Sequence, residues 1–321
     1  MHYTRREVAK LALSALPAAS LLTRPLTALA QAKPNSTIHG VRLGTITYSY
    51  RSMPDQSAEA ILRYIVDSGM SRIEFMGGPV EAFAGAPQAA RGGGGGRGNQ
   101  PPSPEQQAAQ REAANTLKAW RTSVSMDRFK ALRKMYNDAG VTIYAWKQLN
   151  PNMSDEELEY VFNVAEALGC THTTLELTED AAQLKRIGDF AEKKKIYAAY
   201  HTHLQGSMKA FDQAFAVSKG NMANVDLGHF VAAGGDPVAF LTTFHDRIAS
   251  FHLKDRTTPA HGQKNLPWGT GDTPLTALLQ TVKKNKWTMP AAIELEYDVP
   301  QGSDAVKEVR KCLEYCKNAL A

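Results

Sequence analysis

The sequence predicts an α/β protein, a (β/α)8 TIM barrel, on the strength of three observations. Eight short apolar segments alternate with segments whose apolar residues recur at helical spacing. Histidines and carboxylates follow several of the apolar segments, where the strands of a parallel barrel would end. The first segment is not followed by the glycine fingerprint that a doubly wound open sheet, the main alternative, would usually carry.

The predicted strands and helices alternate along most of the chain. The strands are expected at 41–48, 72–76, 142–146, 173–177, 197–201, 223–226, 249–253 and 291–296. The helices are expected at 58–68, 126–139, 155–168, 180–193, 208–217, 237–244, 273–284 and 304–317. Ser154 and Asp155 supply a helix-start signal, and Gly140 and Gly169 stand where two helices should stop.

An insertion at 84–123 interrupts the second βα unit. It contains Gly92 to Gly96, a Pro101-Pro102 pair and a run rich in Gln, Ala and Glu. The glycine-rich part has too few apolar residues to fold alone, so a mobile loop is expected there, and 105–120 is a candidate exposed helix. Because a βα connection lies on the catalytic rim of a barrel, both a substrate lid and a disordered insert are compatible with this segment.

The amino terminus resembles a twin-arginine export signal. Arg5 and Arg6 precede an apolar run from Leu11 to Leu22, and small residues suitable for cleavage follow near Ala32. We therefore predict a signal peptide at 1–32, a mature barrel at 33–321 and a periplasmic or otherwise exported protein. The apolar run is too short and too broken to predict a membrane span, and none is expected in the mature chain.

Charge and cysteine content argue against a nucleic-acid-binding protein and against a fold built on disulfides. The net charge is +5, but without residues 1–32 the chain has 33 basic and 31 acidic side chains, which argues against a nucleic-acid partner. Cys170, Cys312 and Cys316 form no disulfide framework, and the last two are expected to be buried on one helix face. A homo-oligomer is compatible with the sequence.

The residues that carry chemistry are concentrated at four predicted strand ends. These segments are 200–203 (YHTH), 226–229 (DLGH), 252–255 (HLKD) and 294–296 (ELE). Residues two apart on a strand point to the same face, so His201 and His203, His252 and Lys254, and Glu294 and Glu296 should each enter the barrel together at its rim. Imidazoles and carboxylates without thiolates suit an open divalent-metal site for Mn²⁺, Co²⁺, Mg²⁺, Fe²⁺ or Zn²⁺. Glu176, at the end of the fourth strand, is a further candidate ligand or base, or a rim carboxylate paired with a Lys or Arg; Glu74 is a weaker candidate.

These motifs together resemble the sugar phosphate isomerase/epimerase family, which has the xylose-isomerase-like TIM barrel and also includes endonuclease-IV-like nucleases. Its D-x-G-H…G-x-D-P signature is similar to 226–229 followed by 234–237, and its H-N-H motif to 201–203, with Thr in place of Asn. Its H-x-K-D motif is similar to 252–255, and its G-x-G loop to 269–271. The similarity runs from about residue 41 to the carboxyl terminus, without the insertion.

The resemblance implies a ligand set and a reaction type. Metal ligands are implied at Asp226, His252 and Glu294, and the fourth position, often Glu in ketose epimerases, falls on His201, so Glu176 stays open as its replacement. Glu294 or Glu176 is expected to remove a proton next to a metal-polarised carbonyl. The residues expected to bind substrate are His203, His229, Lys254 and Glu296, and Lys254 would also stabilise an enediolate.

The leading prediction is a metal-dependent isomerase or epimerase of carbohydrate metabolism, acting on a sugar or sugar derivative. A lyase that eliminates a group from a 3-keto-glycoside on the same barrel is the close alternative, and a non-catalytic carbohydrate-binding protein is the alternative from another class. An endonuclease of this superfamily would need more histidines on the early strands, and the segments 41–51 and 72–77 have none.

Overall fold

In the computed structural model, residues 33–87 and 103–321 are described. The predicted signal at 1–32 and the glycine-rich part of the insertion lie outside these residues, so both expectations remain predictions. The strands are β1 (Thr37–Ile38), β2 (Val41–Ile46), β3 (Arg72–Met76), β4 (Thr142–Lys147), β5 (His172–Glu176), β6 (Tyr197–His201), β7 (Asn221–Asp226), β8 (Ile248–Leu253), β9 (Asp255–Arg256), β10 (Asn265–Leu266) and β11 (Ala291–Ile293).

Eight of these strands close a parallel barrel. Each of β2 to β7 pairs in parallel with the next strand, and β11 pairs in parallel with both β8 and β2. Strand β1 adds an antiparallel strand beside β2, and β9 and β10 form a separate antiparallel pair. The predicted (β/α)8 TIM barrel is therefore confirmed.

The helices lie between successive strands, as the predicted alternation requires. They are α1 (Ala58–Asp67), α2 (Gly77–Phe83), α3 (Pro104–Ser123), α4 (Asp127–Asp138), α5 (Asp155–Leu168), α6 (Ala181–Lys194), α7 (Met208–Val217), α8 (Leu227–Ala232), α9 (Pro237–Phe244), α10 (Leu275–Asn285) and α11 (Ala305–Leu320). Ser154 and Glu157 form a capping box at the start of α5, and Gly169 ends this helix in the left-handed conformation. Among the described residues, no helix combines the length and the apolar character that crossing a membrane requires.

The barrel interior contains a cluster of buried polar side chains next to the candidate site. Between the strands and the helices lies an apolar core, and all three cysteines are free and buried. Inside the barrel, however, Glu74, Thr174, Asn224, Ser250 and His172 are wholly buried and joined by hydrogen bonds of 2.7 to 3.2 Å. Buried polar groups are costly unless they are paired, and these are paired with one another.

The described part of the insertion is a helix that packs on the outer layer. Helix α3 starts with a capping box between Ser103 and Gln106, and none of its residues is fully buried. At its carboxyl end, Arg121 binds the buried carboxylate of Glu81 at 2.8 Å and reaches Glu157 at 3.3 Å. The ring of Trp120 packs edge-on against Tyr160 of α5. The expected exposed helix is present, and it is anchored at this end by an ion-pair network.

Candidate active site

Four of the predicted ligands meet at the carboxyl-terminal rim of the barrel. His201 ends β6, Asp226 ends β7, His252 lies near the end of β8, and Glu294 follows β11 directly. All four side chains are buried, and one potential ligand atom of each lies within 4.8 Å of those of the other three. The parallel register places them together, because Asp226 is paired with His252 across β7 and β8.

The position of Glu294 depends on residues that precede the first helix. The β11 ladder stops at Ile293, whose carbonyl accepts hydrogen bonds from the hydroxyls of Thr45 at 3.0 Å and Ser49 at 3.2 Å. The N–H of Leu295 donates to the same Ser49 hydroxyl at 3.0 Å. The N–H of Glu294 still donates to the carbonyl of Leu253 at 3.0 Å. The strand predicted to reach residue 296 is nevertheless shorter in the structure, because side chains bond the Ile293 carbonyl and the Leu295 N–H.

The donor set fits a divalent cation. Burial, followed by the charge of Lys147, holds the pKa of His201 well below its ordinary value, so the imidazole is neutral, as a metal ligand must be. Among the described residues, no hydrogen bond is made by His201 Nδ1 or by Asp226 Oδ2, although both atoms are buried. Asp226 Oδ2 lies 2.9 Å from the ammonium of Lys254. The two groups form an ion pair, but their geometry is not that of a hydrogen bond. Two buried donor atoms without hydrogen bonds, in a cluster of imidazoles and carboxylates, match what such a cation needs.

His252 lies between two carboxylates. Its Nε2 is 2.7 Å from Glu74 Oε2, and its Nδ1 is 2.7 Å from Glu294 Oε2. Burial alone would lower the pKa of His252, but the charges of Glu74 and Glu294 outweigh it and raise the pKa to about 10. Conversely, the charge of His252 overcomes burial at Glu74 and lowers its pKa to about 2. In the protein as described here, both ring nitrogens of His252 carry protons.

Lys254 connects the cluster to the predicted substrate-binding residues. Its Nζ lies 3.2 Å from Glu294 Oε2 and 3.0 Å from His229 Nε2, and it donates to Glu296 Oε2. Although burial would lower the pKa of Lys254, the charges of Asp226 and Glu294 raise it. The ammonium is therefore charged, and it lies beside Asp226 and Glu294, two of the four candidate ligands.

The D-x-G-H motif has a physical reason at each position. The backbone N–H of His229 donates to Asp226 Oδ1 at 2.8 Å, so Asp226 caps helix α8 while its other oxygen faces the cluster. A Cβ atom on Gly228 would lie 2.3 Å from Cγ of Lys254 and 2.7 Å from its carbonyl oxygen, so only glycine leaves room for this lysine. Burial, with the charges of Lys254 and Arg256, lowers the pKa of His229 to about 2, which keeps its ring neutral.

Glu176 and His203 form a pair beside the four-residue cluster. His203 Nδ1 lies 3.0 Å from Glu176 Oε2, and Lys147 Nζ lies 3.0 Å from Glu176 Oε1. Burial would raise the pKa of Glu176, but the hydrogen bond with His203 and the charge of Lys147 lower it. One ligand atom each of Glu176, His201 and His203 lies within 4.8 Å of the others, so His201 is common to both groups. The structure thus places Glu176 in a partly exposed rim pair, and not within the buried four.

The H-x-K-D and G-x-G motifs are joined to each other by hydrogen bonds. Asp255 Oδ2 accepts hydrogen bonds from the backbone N–H groups of Gly269, Thr270 and Gly271 at 2.8, 3.1 and 2.9 Å. A Cβ atom on Gly271 would lie 2.3 Å from Asp255 Oδ1, so a side chain there would displace the carboxylate. This contact fixes the loop that follows β10, next to the strand that carries His252.

Sequence reasoning undervalued four residues of this site. Glu74 was only a weak candidate, and Asn224, Lys147 and Arg256 were not singled out. Asn224 donates to both oxygens of Glu74, and Arg256 binds Nδ1 of His229. A carboxylate in the middle of an apolar strand, as in 72–76 (RIEFM), was the one signal available for Glu74.

Comparisons with known proteins agree with this architecture. The family model described as xylose isomerase-like TIM barrel matches residues 113–317. A solved sugar phosphate isomerase/epimerase from Parabacteroides distasonis ATCC 8503 is 17% identical with a TM-score of 0.56, and the match covers 86% of this chain and 93% of that one. A 3-keto-D-glucoside 4-epimerase from E. coli is 10% identical with a TM-score of 0.58, and the match covers 87% of this chain and 99% of that one. A probable 3-DHS dehydratase from Bacillus anthracis is 14% identical with a TM-score of 0.60, and the match covers 85% of this chain and 98% of that one.

At these identities the likeness to solved structures establishes the fold alone. No curated protein sequence matches this chain.

Proposed function

Because this chain belongs to the xylose isomerase-like TIM barrel family, we propose that it is a divalent-metal-dependent isomerase or epimerase acting on a sugar or sugar derivative. The observation that carries the proposal is the buried convergence of His201, Asp226, His252 and Glu294 at the catalytic rim. A structural role alone does not account for four buried polar side chains from four strands when two of their potential ligand atoms make no hydrogen bond among the described residues.

The four clustered residues would hold the cation. Mn²⁺, Co²⁺, Mg²⁺ or Zn²⁺ bound there supplies a Lewis acid that polarises a substrate carbonyl. The neutral imidazole of His201 is ready to bind, whereas His252 must give up the proton of the nitrogen that takes the metal. Glu294 is paired with His252 and Lys254 in the structure. Once His252 has lost that proton, the carboxylate of Glu294 would be free to bind the cation.

Glu176 and Glu294 are the proposed proton-transferring groups, and the surroundings favour Glu176 for the first transfer. Glu294 is committed to the cluster, whereas Glu176 is half-exposed at the rim, and its lowered pKa keeps it ionised. Its partner His203, whose pKa is raised chiefly by the hydrogen bond with Glu176, would return or relay the proton. Lys254 would stabilise the negative charge that develops on the substrate oxygen.

The other rim residues would orient the substrate. His229 is neutral and Glu296 is partly exposed, and both contact the Lys254 ammonium. Together with His203 they offer both hydrogen-bond donors and hydrogen-bond acceptors. This combination suits the neighbouring hydroxyl groups of a carbohydrate, which also donate and accept. We infer a small-molecule carbohydrate ligand from this arrangement and from the names of the family's sugar-processing members.

A 3-keto-glycoside lyase is the second candidate. The same proton removal next to a carbonyl, followed by loss of the substituent on the β-carbon, would give elimination instead of epimerisation. One structural neighbour is named as a probable dehydratase, and because dehydration is an elimination, this likeness supports the second candidate. The twin-arginine signal and an exported location remain proposals that the described residues do not address.

The decisive experiment is proton exchange in D2O, followed by NMR, with keto-sugars and 3-keto-glycosides in the presence of Mn²⁺ or Co²⁺. We expect exchange at the carbon next to the carbonyl and a loss of roughly 10²- to 10⁴-fold in Glu176→Gln, with Glu179→Gln as the exposed control. An epimer or isomer as product supports the first proposal, and a released aglycone supports the lyase. Sugar binding without exchange, unchanged by Glu176→Gln, would instead identify a carbohydrate-binding protein.

A further inference from the structure

The opposite end of the barrel contains a second cavity. Its volume is about 600 Å³, and it lies where the barrel strands begin. Arg42 of β2, Arg72 of β3 and Tyr197 of β6 line it, together with Thr171 just before β5 and Pro290 just before β11. The candidate active site lies at the other ends of these strands, so this basal cavity is a separate feature.

The basal cavity has an unbalanced positive charge. Arg42, Arg72 and Lys286 line it, and none of the described residues along its wall is acidic. Within 33–87 and 103–321, none of these three cations forms a salt bridge, and the polar contacts of Arg72 are to the hydroxyls of Thr37 and Ser71. Burial and the nearby charge of Arg42 lower the pKa of Arg72, which is the electrostatic cost of placing these groups together. A structural role would be expected to bring a carboxylate to such a cluster.

A buried hydroxyl adds a second, independent observation. Tyr144 lines the cavity and is only 5% exposed, yet its hydroxyl has no hydrogen-bond partner among the described residues. The Tyr144 hydroxyl and Cβ of Arg72 lie 3.3 and 3.4 Å from the point that a Cβ atom on Gly44 would occupy. Gly44 thus makes room for the tyrosine beside the arginine stem. The buried hydroxyl lacks a hydrogen-bond acceptor among the described residues, which is unusual for a buried polar group.

Aromatic surfaces flank the cations. Tyr197 is 46% exposed, although it is a large aromatic residue. The rings of His245 and Trp287 stack at 4.7 Å with an interplanar angle of 10° and also line the cavity. Aromatic side chains at a cavity wall favour a ligand that has an organic ring over an inorganic ion without one.

We propose that the basal cavity binds the phosphate group of a small phosphorylated molecule. A phosphate monoester presents close to two negative charges and three acceptor oxygens, which matches two guanidinium groups, an ammonium and a hydroxyl donor. The same chemistry could come from free inorganic phosphate or from an organic phosphate whose ring contacts Tyr197 or Trp287. This inference does not depend on the reaction proposed for the other end of the barrel.

Calorimetric titration of the full chain tests the site, with inorganic phosphate, ribose 5-phosphate and neutral ribose as the three probes. We expect saturable binding of a phosphorylated probe, weakened about tenfold in Arg42→Gln and about threefold in Tyr144→Phe. Both variants should keep the wild-type melting temperature, because neither the Arg42 side chain nor the Tyr144 hydroxyl has a hydrogen bond to lose among the described residues. Arg111→Gln, an exposed arginine of helix α3, is the matched control and should bind as wild type.

Two further comparisons make the outcome decisive. Tighter binding of ribose 5-phosphate than of inorganic phosphate identifies an organic phosphate as the ligand class, and equal binding identifies phosphate itself. Binding that is lost in Asp226→Ala but kept in Arg42→Gln and Tyr144→Phe would place the ligand at the other rim and overturn the proposal. Failure of both phosphorylated probes to bind the wild type would overturn it as well.

Discussion

Glu74 Oε2 lies 2.7 Å from His252 Nε2, and both side chains are wholly buried inside the barrel. Glu74 is held in turn by Asn224 and by the hydroxyl of Thr174, at 3.0 and 2.9 Å. This pair leaves Nδ1 as the ring nitrogen that faces Glu294 and Asp226, at 2.7 and 3.9 Å. A carboxylate that receives the second N–H of a ligating histidine fixes the orientation and tautomer of the ring.

Replacing Glu74 with Gln should therefore weaken metal binding. We expect the Kd for Mn²⁺, measured by calorimetry, to rise roughly 10- to 100-fold, because the amide keeps the shape of the carboxylate but not its charge. Glu59→Gln, an exposed change on helix α1, is the matched control and should leave the Kd unchanged. An unaltered Kd in Glu74→Gln would show that the pair is structural only.

Metal content tests the four-residue cluster directly. Protein purified without chelator should carry about one divalent ion per chain by mass spectrometry, and both Asp226→Ala and His252→Ala should lose it. The reason is that each variant removes one of the buried donor atoms within 4.8 Å of the others. Wild-type protein that holds no ion even after reconstitution with Mn²⁺, Co²⁺ or Zn²⁺ would remove the basis of both the isomerase and the lyase proposals.

Gly228→Ala should reduce turnover by displacing Lys254. The added methyl group would lie 2.3 Å from Cγ and 2.7 Å from the carbonyl oxygen of Lys254, so the side chain and backbone of Lys254 must move away from it. Small misplacements at a reaction centre cost up to about 100-fold in rate, and we expect kcat to fall by about that factor with a smaller change in KM. Gly78→Ala is the control, because a methyl group there meets no atom within 4 Å. Wild-type kinetics in Gly228→Ala would contradict the prediction that this methyl group displaces a catalytically important Lys254.

Much of the barrel could be predicted because its strands and helices are long enough to show periodicity. Helices 155–168, 208–217 and 237–244 agree with the structure at both ends, since caps such as Ser154 and Asp236 mark them in the sequence. The short helices Thr47–Tyr50, Gly77–Phe83 and Leu227–Ala232 were not predicted, because one or two turns give no periodic signal.

The candidate site was predictable in part for a similar reason. Strand parity and motif spacing single out His201, Asp226, His252 and Glu294, and these residues do come together. Glu74 is different, because its importance depends on Asn224, which lies 150 residues away in the sequence and meets it only after the barrel closes. Long-range hydrogen bonds inside a barrel leave no local trace in a single sequence.

Arg121→Ala should destabilise the protein by detaching helix α3. Arg121 binds the buried Glu81 through Nε at 2.8 Å and Nη2 at 3.2 Å, and Glu81 would be left without its cation. Breaking a buried ion pair from one side costs about 3 kcal/mol in the free energy of unfolding, measured by urea denaturation. Lys118→Ala on the same helix removes an exposed pair with Glu156 and should cost less than about 1 kcal/mol. Equal effects of the two variants would mean that the Arg121 network does not anchor the helix.

Glu308 should make the stability of the fold depend on acid pH. This buried carboxylate accepts hydrogen bonds from Tyr297 at 2.8 Å and Lys311 at 2.7 Å, and also from the hydroxyl of Ser303. Burial would raise the pKa of Glu308, but the hydrogen bonds from Lys311, Ser303 and Tyr297 outweigh it and lower the pKa below the ordinary value. A group with a lowered folded-state pKa stabilises the protein above its unfolded pKa of about 4.3, and this stability is lost as the pH falls through the folded value.

The measurement is urea denaturation of wild type and Glu308→Gln between pH 7 and pH 3. We expect the variant to be about 2 kcal/mol less stable at pH 7, because one charged acceptor of three hydrogen bonds is lost. The difference should shrink as the pH falls below about 4, since the wild-type carboxylate then becomes protonated and loses the same advantage. Glu314→Gln, in an exposed pair with Lys317 on the same helix, should show neither effect. A stability difference that stays constant down to pH 3 would assign the effect of Glu308 to packing and not to its charge.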